Sequence, residues 1–200
     1  KDPSMKETDI SKNFDYFLWE KFKTGDKEAL SRIYYTYYNP LYDYGIRIHN
    51  DPAFIKDCIQ ELFFDLINKL STLGSTDSIK SYLLASFRRR VFVRLKKNKG
   101  INYLEDSYAP DAFEIEPSAE TQMISKESKD IYTQKIQDML SKLSSREREA
   151  IYLKFYKNLS YKEITEVMEV NYQSARKLIY RAIKSLREMK STVFEDLQDL

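Results

Sequence analysis

An all-α fold of two small helical domains joined by an acidic linker is what this 200-residue sequence predicts, and three observations carry the prediction. Glycine and proline number only 4 and 5, too few for the many tight turns of a β-sandwich or barrel. Apolar residues recur at steps of three and four through most of the chain, the period of an amphipathic helix. Charge is partitioned: residues 1–100 carry a net +5, 101–141 a net −6, 142–190 a net +6 and 191–200 a net −3, under a total of only +2. Two basic blocks around an acidic one suggest two polyanion-binding modules with a connector that does not bind. The expected divisions are 10–100, a linker over 101–126, a second domain over 127–190 and an acidic tail over 191–200. Lys1–Ser4, ahead of Met5, reads as a tag remnant.

The first helix carries Phe14, Phe17, Leu18 and Phe22 at helical spacing, and Thr24-Gly25-Asp26 ends it with Asp26 placed to cap the second. That second helix carries Ala29, Leu30, Ile33, Tyr34, Tyr37 and Tyr38 as its stripe. At Asn39-Pro40 proline predicts a kink or short restart through Leu41, Tyr44 and Ile48. Asp51-Pro52 is a strong start signal, because aspartate accepts from free first-turn N–H groups and proline has no donor to leave unpaired. The third helix puts Ile55, Ile59, Leu62, Phe63 and Leu66 on its apolar face and Asp57, Gln60, Glu61, Phe64 and Asn68 opposite. Ser71–Ser78 is a loop by composition, with Asp77 or Ser78 placed to cap a fourth helix.

From Lys80 to Lys99 there are eight basic residues and no acidic one. Leu83, Phe87, Val91 and Leu95 keep one face of this fourth helix in a core, while Arg88, Arg89, Arg90, Arg94, Lys96 and Lys97 crowd the rest. Tyr82, Phe87 and Phe92 beside arginines are groups that stack unpaired bases as well as pack, with Phe87 expected in the core. Gly100 stops the helix. Residues 101–126 hold Pro110 and Pro117 without sustained periodicity and read as a linker with at most a turn of helix.

The C-terminal block resumes with Ile136, Met139, Leu140 and Leu143. Ser144-x-x-Glu147 and Ser160-x-x-Glu163 each fit the capping box and mark two short helices, the first carrying Ala150, Ile151 and Phe155, the second Ile164, Val167 and Met168. After Glu169-Val170-Asn171 comes a longer helix with Ala175, Leu178, Ile179, Ala182 and Leu186 inward. Gln173, Arg176, Lys177, Tyr180, Arg181, Lys184 and Arg187 face outward. Short helix, three-residue turn and longer basic helix make a helix-turn-helix, whose second helix offers side chains near its N-terminus to base edges in the major groove. A basic helix in an ordinary bundle is the simpler alternative, and both capping boxes and the turn spacing weigh against it.

Several classes are excluded. No apolar run reaches about 18 residues and no basic-then-apolar leader is visible, so the chain is expected to be cytoplasmic and without membrane insertion. One cysteine, Cys58, and one histidine, His49, support neither a disulfide framework nor a metal site, and both read as packing residues. Asp57 and Glu61 have no histidine, lysine pair or phosphate loop nearby to complete a catalytic set. No enzyme activity, metal or cofactor is expected.

With these residues in place the sequence resembles one family, the sigma-70-type RNA polymerase sigma factors, in their extracytoplasmic function (ECF) subgroup. Asp51-Pro-Ala-Phe-Ile-Lys-Asp-Cys-Ile-Gln-Glu-Leu-Phe-Phe-Asp-Leu66 resembles conserved region 2.2. Leu143-Ser-Ser-Arg-Glu-Arg-Glu-Ala150, Leu159-Ser-Tyr-Lys-Glu-Ile164 and Ser174–Arg187 resemble region 4. Two signatures in the right order, about 80 residues apart, are more specific than a helix-turn-helix alone.

The resemblance implies functions for these positions. Asp57, Gln60, Glu61 and Phe64 would contact core RNA polymerase. Ser71, Thr72, Ser75 and Thr76 of the loop, with Tyr82, Arg88, Arg89, Phe92, Arg94, Lys96 and Lys97, would hold the melted strand of the −10 promoter element. Tyr172, Gln173, Ser174, Arg176, Lys177 and Tyr180 would face the −35 element, with Arg181 and Lys184 on phosphates. The linker would thread the polymerase. Core polymerase and promoter DNA are thus the implied partners, and an anti-sigma factor is a further candidate. Two departures stand out: Arg88-Arg89-Arg90 replaces the Arg-Asn of many relatives, and the helix-turn-helix turn lacks glycine, leaving Asn171 as the residue suited to a left-handed backbone. The alternative that the motif alone allows is a stand-alone helix-turn-helix regulator with an N-terminal dimerisation or sensing domain.

Overall fold

The computed structural model describes the backbone of residues 4–98, 113–115 and 126–195, and side chains within 13–98, 113–115 and 134–189. Among these residues every regular element is helical. The chain divides into two compact units, Lys1–Tyr108 with Glu166–Glu169 and Ala109–Thr165 with Val170–Leu200.

In the first unit α1 spans Ser4–Lys23 and ends at Gly25, whose φ of +84° is a left-handed conformation that glycine adopts without a Cβ clash. The Asp26 carboxylate accepts from the Ala29 N–H at 2.8 Å and starts α2, Lys27–Ile48. Asp51 accepts from the N–H groups of Ala53 and Phe54, both at 3.0 Å, with Pro52 opening α3, Pro52–Asn68. A 3₁₀ turn at Leu70–Thr72 and a loop over 73–78 lead into α4, Ile79–Asn98. The predicted stripes of α3 and α4 are buried, apart from Leu95, which is half-buried. Cys58 is fully buried, and His49 packs edge-on against Phe54.

Where α2 crosses α3 and α4, the side chains of Ile55 and Phe87 press against the backbone of Gly45. A Cβ there would lie 2.7 Å from Ile55 Cγ2 and 2.8 Å from Phe87 Cζ, so the crossing requires glycine. α2 runs through Pro40 as one helix and does not restart there; Tyr38 and Tyr42 stack across the proline, and Leu41 and Tyr44 are buried just beyond it. One expectation fails in this unit. On α1, Phe14 and Phe17 are exposed, and Trp19 with Phe22 takes the core instead.

The rest of the chain forms α5 (Lys126–Ser141), α6 (Ser145–Ile151), a π turn (Tyr152–Tyr156), α7 (Tyr161–Met168) and α8 (Tyr172–Glu195), all in the second unit except the end of α7 from Glu166. Both capping boxes form: Ser144 and Glu147 exchange bonds at 2.9 and 3.3 Å, and Ser160 and Glu163 at 2.8 and 3.2 Å. α8 packs on α5 and α6 through Ala175, Ile179 and Ala182. The π turn, closed by the Lys157 N–H on the Tyr152 carbonyl at 3.1 Å, adds a residue to the turn. It buries Tyr152 and Leu153 and leaves Phe155, expected inside, exposed. Ile136 is likewise exposed. The helix α8 runs to Glu195, into what the charge pattern marks as a tail. Most of the expected linker, and Gly100 after α4, lie outside the described residues.

Candidate nucleic-acid interface

The helix-turn-helix is built from local chemistry. Glu163 and Ser160 start α7, and its end turns through Glu169 at φ 53°, with the Val170 N–H on the Thr165 carbonyl at 3.2 Å. The left-handed residue is therefore Glu169 and not Asn171. Asn171 instead starts α8, its side-chain oxygen accepting from the Ser174 N–H at 2.8 Å. Tyr172 rests edge-on against Tyr161, which ties the first turn of α8 to α7.

From that start α8 presents one continuous outer face. Tyr172, Gln173, Arg176, Lys177, Tyr180, Arg181 and Lys184 are exposed and Ser174 is half-buried. Lys184 also pairs with Glu188 at 3.7 Å, one turn on. Polar and cationic groups near the helix N-terminus with cations behind suit base edges first and phosphates second.

The basic helix α4 is less uniform than its sequence. Arg88 and Phe92, both expected to hold single-stranded DNA, are buried, with the guanidinium 4.5 Å from the Phe92 ring centroid. In this arrangement neither is presented to a ligand. Arg90 and Arg94 face α3, where Arg94 meets Asp57 at 3.2 Å and Glu61 at 3.1 Å, and Arg90 meets Glu61 at 3.3 Å and also Asp65. The Arg94 guanidinium lies 5.0 Å from the Phe54 ring centroid as well. Burial alone would lower its pKa; Glu61, Cys58 and Asp57 outweigh that and hold it above its usual value. Burial pushes the neighbouring Cys58 thiol up, against the opposing pull of Arg94. Arg89, Arg94 and Lys97 line a shallow cleft beside Arg90, Asn98 and Glu61, while Lys96 is half-buried.

The loop before α4 is held by α1. The Trp19 indole N–H donates to the Gly74 carbonyl at 2.8 Å, the Ser75 hydroxyl donates to Glu20 at 2.8 Å, and Lys23 donates to Glu20 at 3.1 Å. Asp15 accepts from the Ile79 N–H at 3.0 Å, and Ser78 caps Ser81 at 3.3 Å. Ser75, and then Lys23, hold the Glu20 carboxyl below its ordinary value. Tyr82 packs its half-buried ring on Trp19 at 4.9 Å. Ser71, Thr72 and Ser75 remain exposed and Thr76 is half-buried. Trp19, Glu20 and Lys23 are thus supports that helical periodicity does not reveal, because their partners lie more than 50 residues away.

On the outer face of α3, Asp57, Gln60, Glu61 and Phe64 are all exposed, Phe64 at 65%. Gln60, Phe64 and Ile67 join Leu30, Tyr34 and Tyr35 of α2 around an open, largely apolar groove. Tyr35 is 78% exposed. Among the described residues no group of three or more His, Cys, Asp or Glu could hold a metal ion, and no helix is long and apolar enough to cross a membrane.

Comparison with known proteins agrees with this anatomy. Residues 133–186 match the family model for Sigma-70, region 4. Over 155 residues the chain is 26% identical to the RNA polymerase sigma factor SigZ of Bacillus subtilis (strain 168), covering 76% of this chain and 82% of that one. It is 22% identical over 161 residues to the ECF RNA polymerase sigma factor SigM of the same organism, covering 80% of this chain and 94% of that one. The solved sigma factor RpoE in complex with the anti-sigma factor NepR, from Bartonella quintana, shares the fold with a TM-score of 0.55 at 18% identity, covering 80% of this chain and 96% of that one. Residues 133–186 thus match Sigma-70, region 4, and along most of its length the chain is similar to RNA polymerase sigma factors, ECF sigma factors among them.

Proposed function

We propose that this chain joins core RNA polymerase, directs it to promoters with −35 and −10 elements, and assists their melting. The observation that carries this reading is the outer face of α8, where Gln173, Arg176, Lys177 and Arg181 stand together in solvent on the second helix of a helix-turn-helix. In this reading Gln173, Ser174, Arg176 and Lys177 reach base edges of the −35 element, with Tyr172 and Tyr180 beside them and Arg181 and Lys184 on phosphates.

The first unit supplies the other two contacts. Asp57, Gln60, Glu61 and Phe64 meet the polymerase, with the α2–α3 groove extending that surface; an anti-sigma factor is a competing partner for the unit. The melted −10 strand runs along the Arg89, Arg94 and Lys97 cleft, with Lys96 at its side. An unpaired base enters the loop of Ser71, Thr72, Ser75 and Thr76, next to Tyr82. Flipping a base out costs a few kcal/mol, and stacking worth about 1–3 kcal/mol per base offsets it. No covalent chemistry is involved.

The test is co-purification of the full chain with core polymerase, followed by transcription from a promoter library randomised at both elements. Chain-dependent transcripts sharing two spaced motifs are expected. A chain that shifts duplex DNA alone and leaves transcription unchanged would be a stand-alone regulator.

A further inference from the structure

The acidic connector is expected to bind nothing, yet its described part is packed. Phe113 and Ile115 are 0% and 6% exposed, while Glu114 between them is exposed. This alternation is that of an extended segment lying on a surface with every second side chain inward. The Phe113 ring meets Tyr152 edge to face at 5.5 Å, and the Phe113 carbonyl accepts from Arg148 Nε. Both partners belong to the same compact unit as the segment.

The receiving surface is also held by bonds that do not involve the segment. Arg148 Nη1 donates to the carbonyls of Leu140, Ser141 and Leu143, at 3.3, 3.1 and 2.6 Å, and so closes the C-terminal end of α5. That geometry aims the remaining Nε at the segment. Tyr152 opens the π turn, with Tyr156 stacked on it at 5.5 Å and the Lys157 ammonium 5.3 Å from its ring centroid. The buried ring therefore has a fixed orientation and an edge contact available to an aromatic visitor.

We propose that this unit carries a docking groove for a peptide segment that presents an aromatic and an aliphatic side chain two residues apart, and that residues 113–115 are its resident occupant. A tripeptide alone pays too much ordering entropy to bind well, but a short tether supplies an effective concentration near the millimolar range. The sigma-factor reading treats residues 101–126 as a free strand, and the groove adds a seat within it. A partner protein bearing an exposed segment with an aromatic and an aliphatic residue at that spacing reaches the groove by displacing residues 113–115.

The experiment is digestion of the folded, full chain with a glutamate-specific protease, monitoring cleavage after Glu114. Phe113→Ala is expected to speed that cut by about tenfold or more, because cleavage tracks the population of the undocked segment. Phe14→Ala, at an exposed aromatic of the first unit, leaves it unchanged. A synthetic peptide of residues 109–119 with Glu114→Gln and Glu116→Gln, which the protease ignores, is expected to speed the same cut in the unaltered chain. The peptide with Phe113→Ala in addition does not. Cuts after Glu147 and Glu163, inside the capping boxes, are expected to stay slow throughout. Equal cleavage at Glu114 with and without Phe113, no effect of the peptide at millimolar concentration, or faster cuts at Glu147 and Glu163 in step with Glu114 would each overturn the proposal.

Discussion

Arg94 on α4 places one guanidinium nitrogen 3.1 Å from Glu61 on α3, and its other nitrogen reaches Asp57 on the same helix at 3.2 Å. The carboxylates proposed to meet polymerase and the arginine proposed to hold DNA therefore belong to one ion-pair lattice, which Arg90 and Asp65 extend. The Arg94 and Glu61 side chains are 30% and 49% exposed. Pairs this accessible each contribute roughly 0–1 kcal/mol, so the lattice acts mainly by setting where the charges stand.

That sharing shapes the test of the polymerase face. Glu61→Arg should abolish core binding in a pull-down and, with it, promoter-dependent transcription. Adding Arg94→Glu restores opposite charges across the helices and should recover the thermal midpoint while core binding stays lost. Recovery of binding in the double variant would show that Glu61 acts only by holding Arg94.

On α8 the two ends of the exposed face should behave differently. Arg176→Ala is expected to cost about 1–3 kcal/mol on the cognate −35 element and to relax preference there. Arg181→Ala should weaken all sequences alike and reduce the salt slope by about 1. Binding titrations of the holoenzyme at several salt concentrations separate the two.

The loop support is sensitive to acid through Glu20. Its folded pKa lies below the ordinary glutamate value of 4.5, so its bonds to Ser75 and Lys23 are present at and above that pH and are lost as pH falls through the depressed folded value. Trp19 is the only tryptophan in the chain and donates to Gly74 in the same loop, so its emission reports the change. Below pH 4.5 the emission of the unaltered chain should shift, and Glu20→Gln should remove that step.

Gly45→Ala probes the helix crossing directly. The added methyl would overlap Ile55 and Phe87 at 2.7 and 2.8 Å, and overpacking of this kind costs typically about 1–3 kcal/mol. Thermal unfolding should show a lowered midpoint, and Gly74→Ala, which meets nothing within 4 Å, should not.

Much of this architecture is legible in the sequence where the determinants are local. Asp26, Asp51, Ser144 and Ser160 announce helix starts because each cap bonds an amide two or three residues away. The outer face of α8 is legible because periodicity alone sorts its residues. Arg88 shows the boundary of that method: it and Arg89 are the same residue type in adjacent positions, and what packs on α4 decides that Arg88 is buried and Arg89 exposed. The Trp19 bond to Gly74 spans 55 residues and leaves no local trace. Phe155 fails because it lies within the π turn, whose wider spacing departs from the helical frame, and Phe113 because a charge count cannot show that two apolar residues within an acidic stretch have a place to dock.

The π turn at Tyr152–Tyr156 also bears on aim. Each residue of an α-helix advances about 100° around its axis, so one residue fewer in the turn would rotate the point at which the chain leaves α6 through more than a quarter circle. A single-codon deletion there would leave intact every α8 side chain proposed to read bases and yet change the direction in which the chain leaves for α7. The register of the proposed promoter reading thus rests on the number of residues in a turn that lies outside the helix-turn-helix.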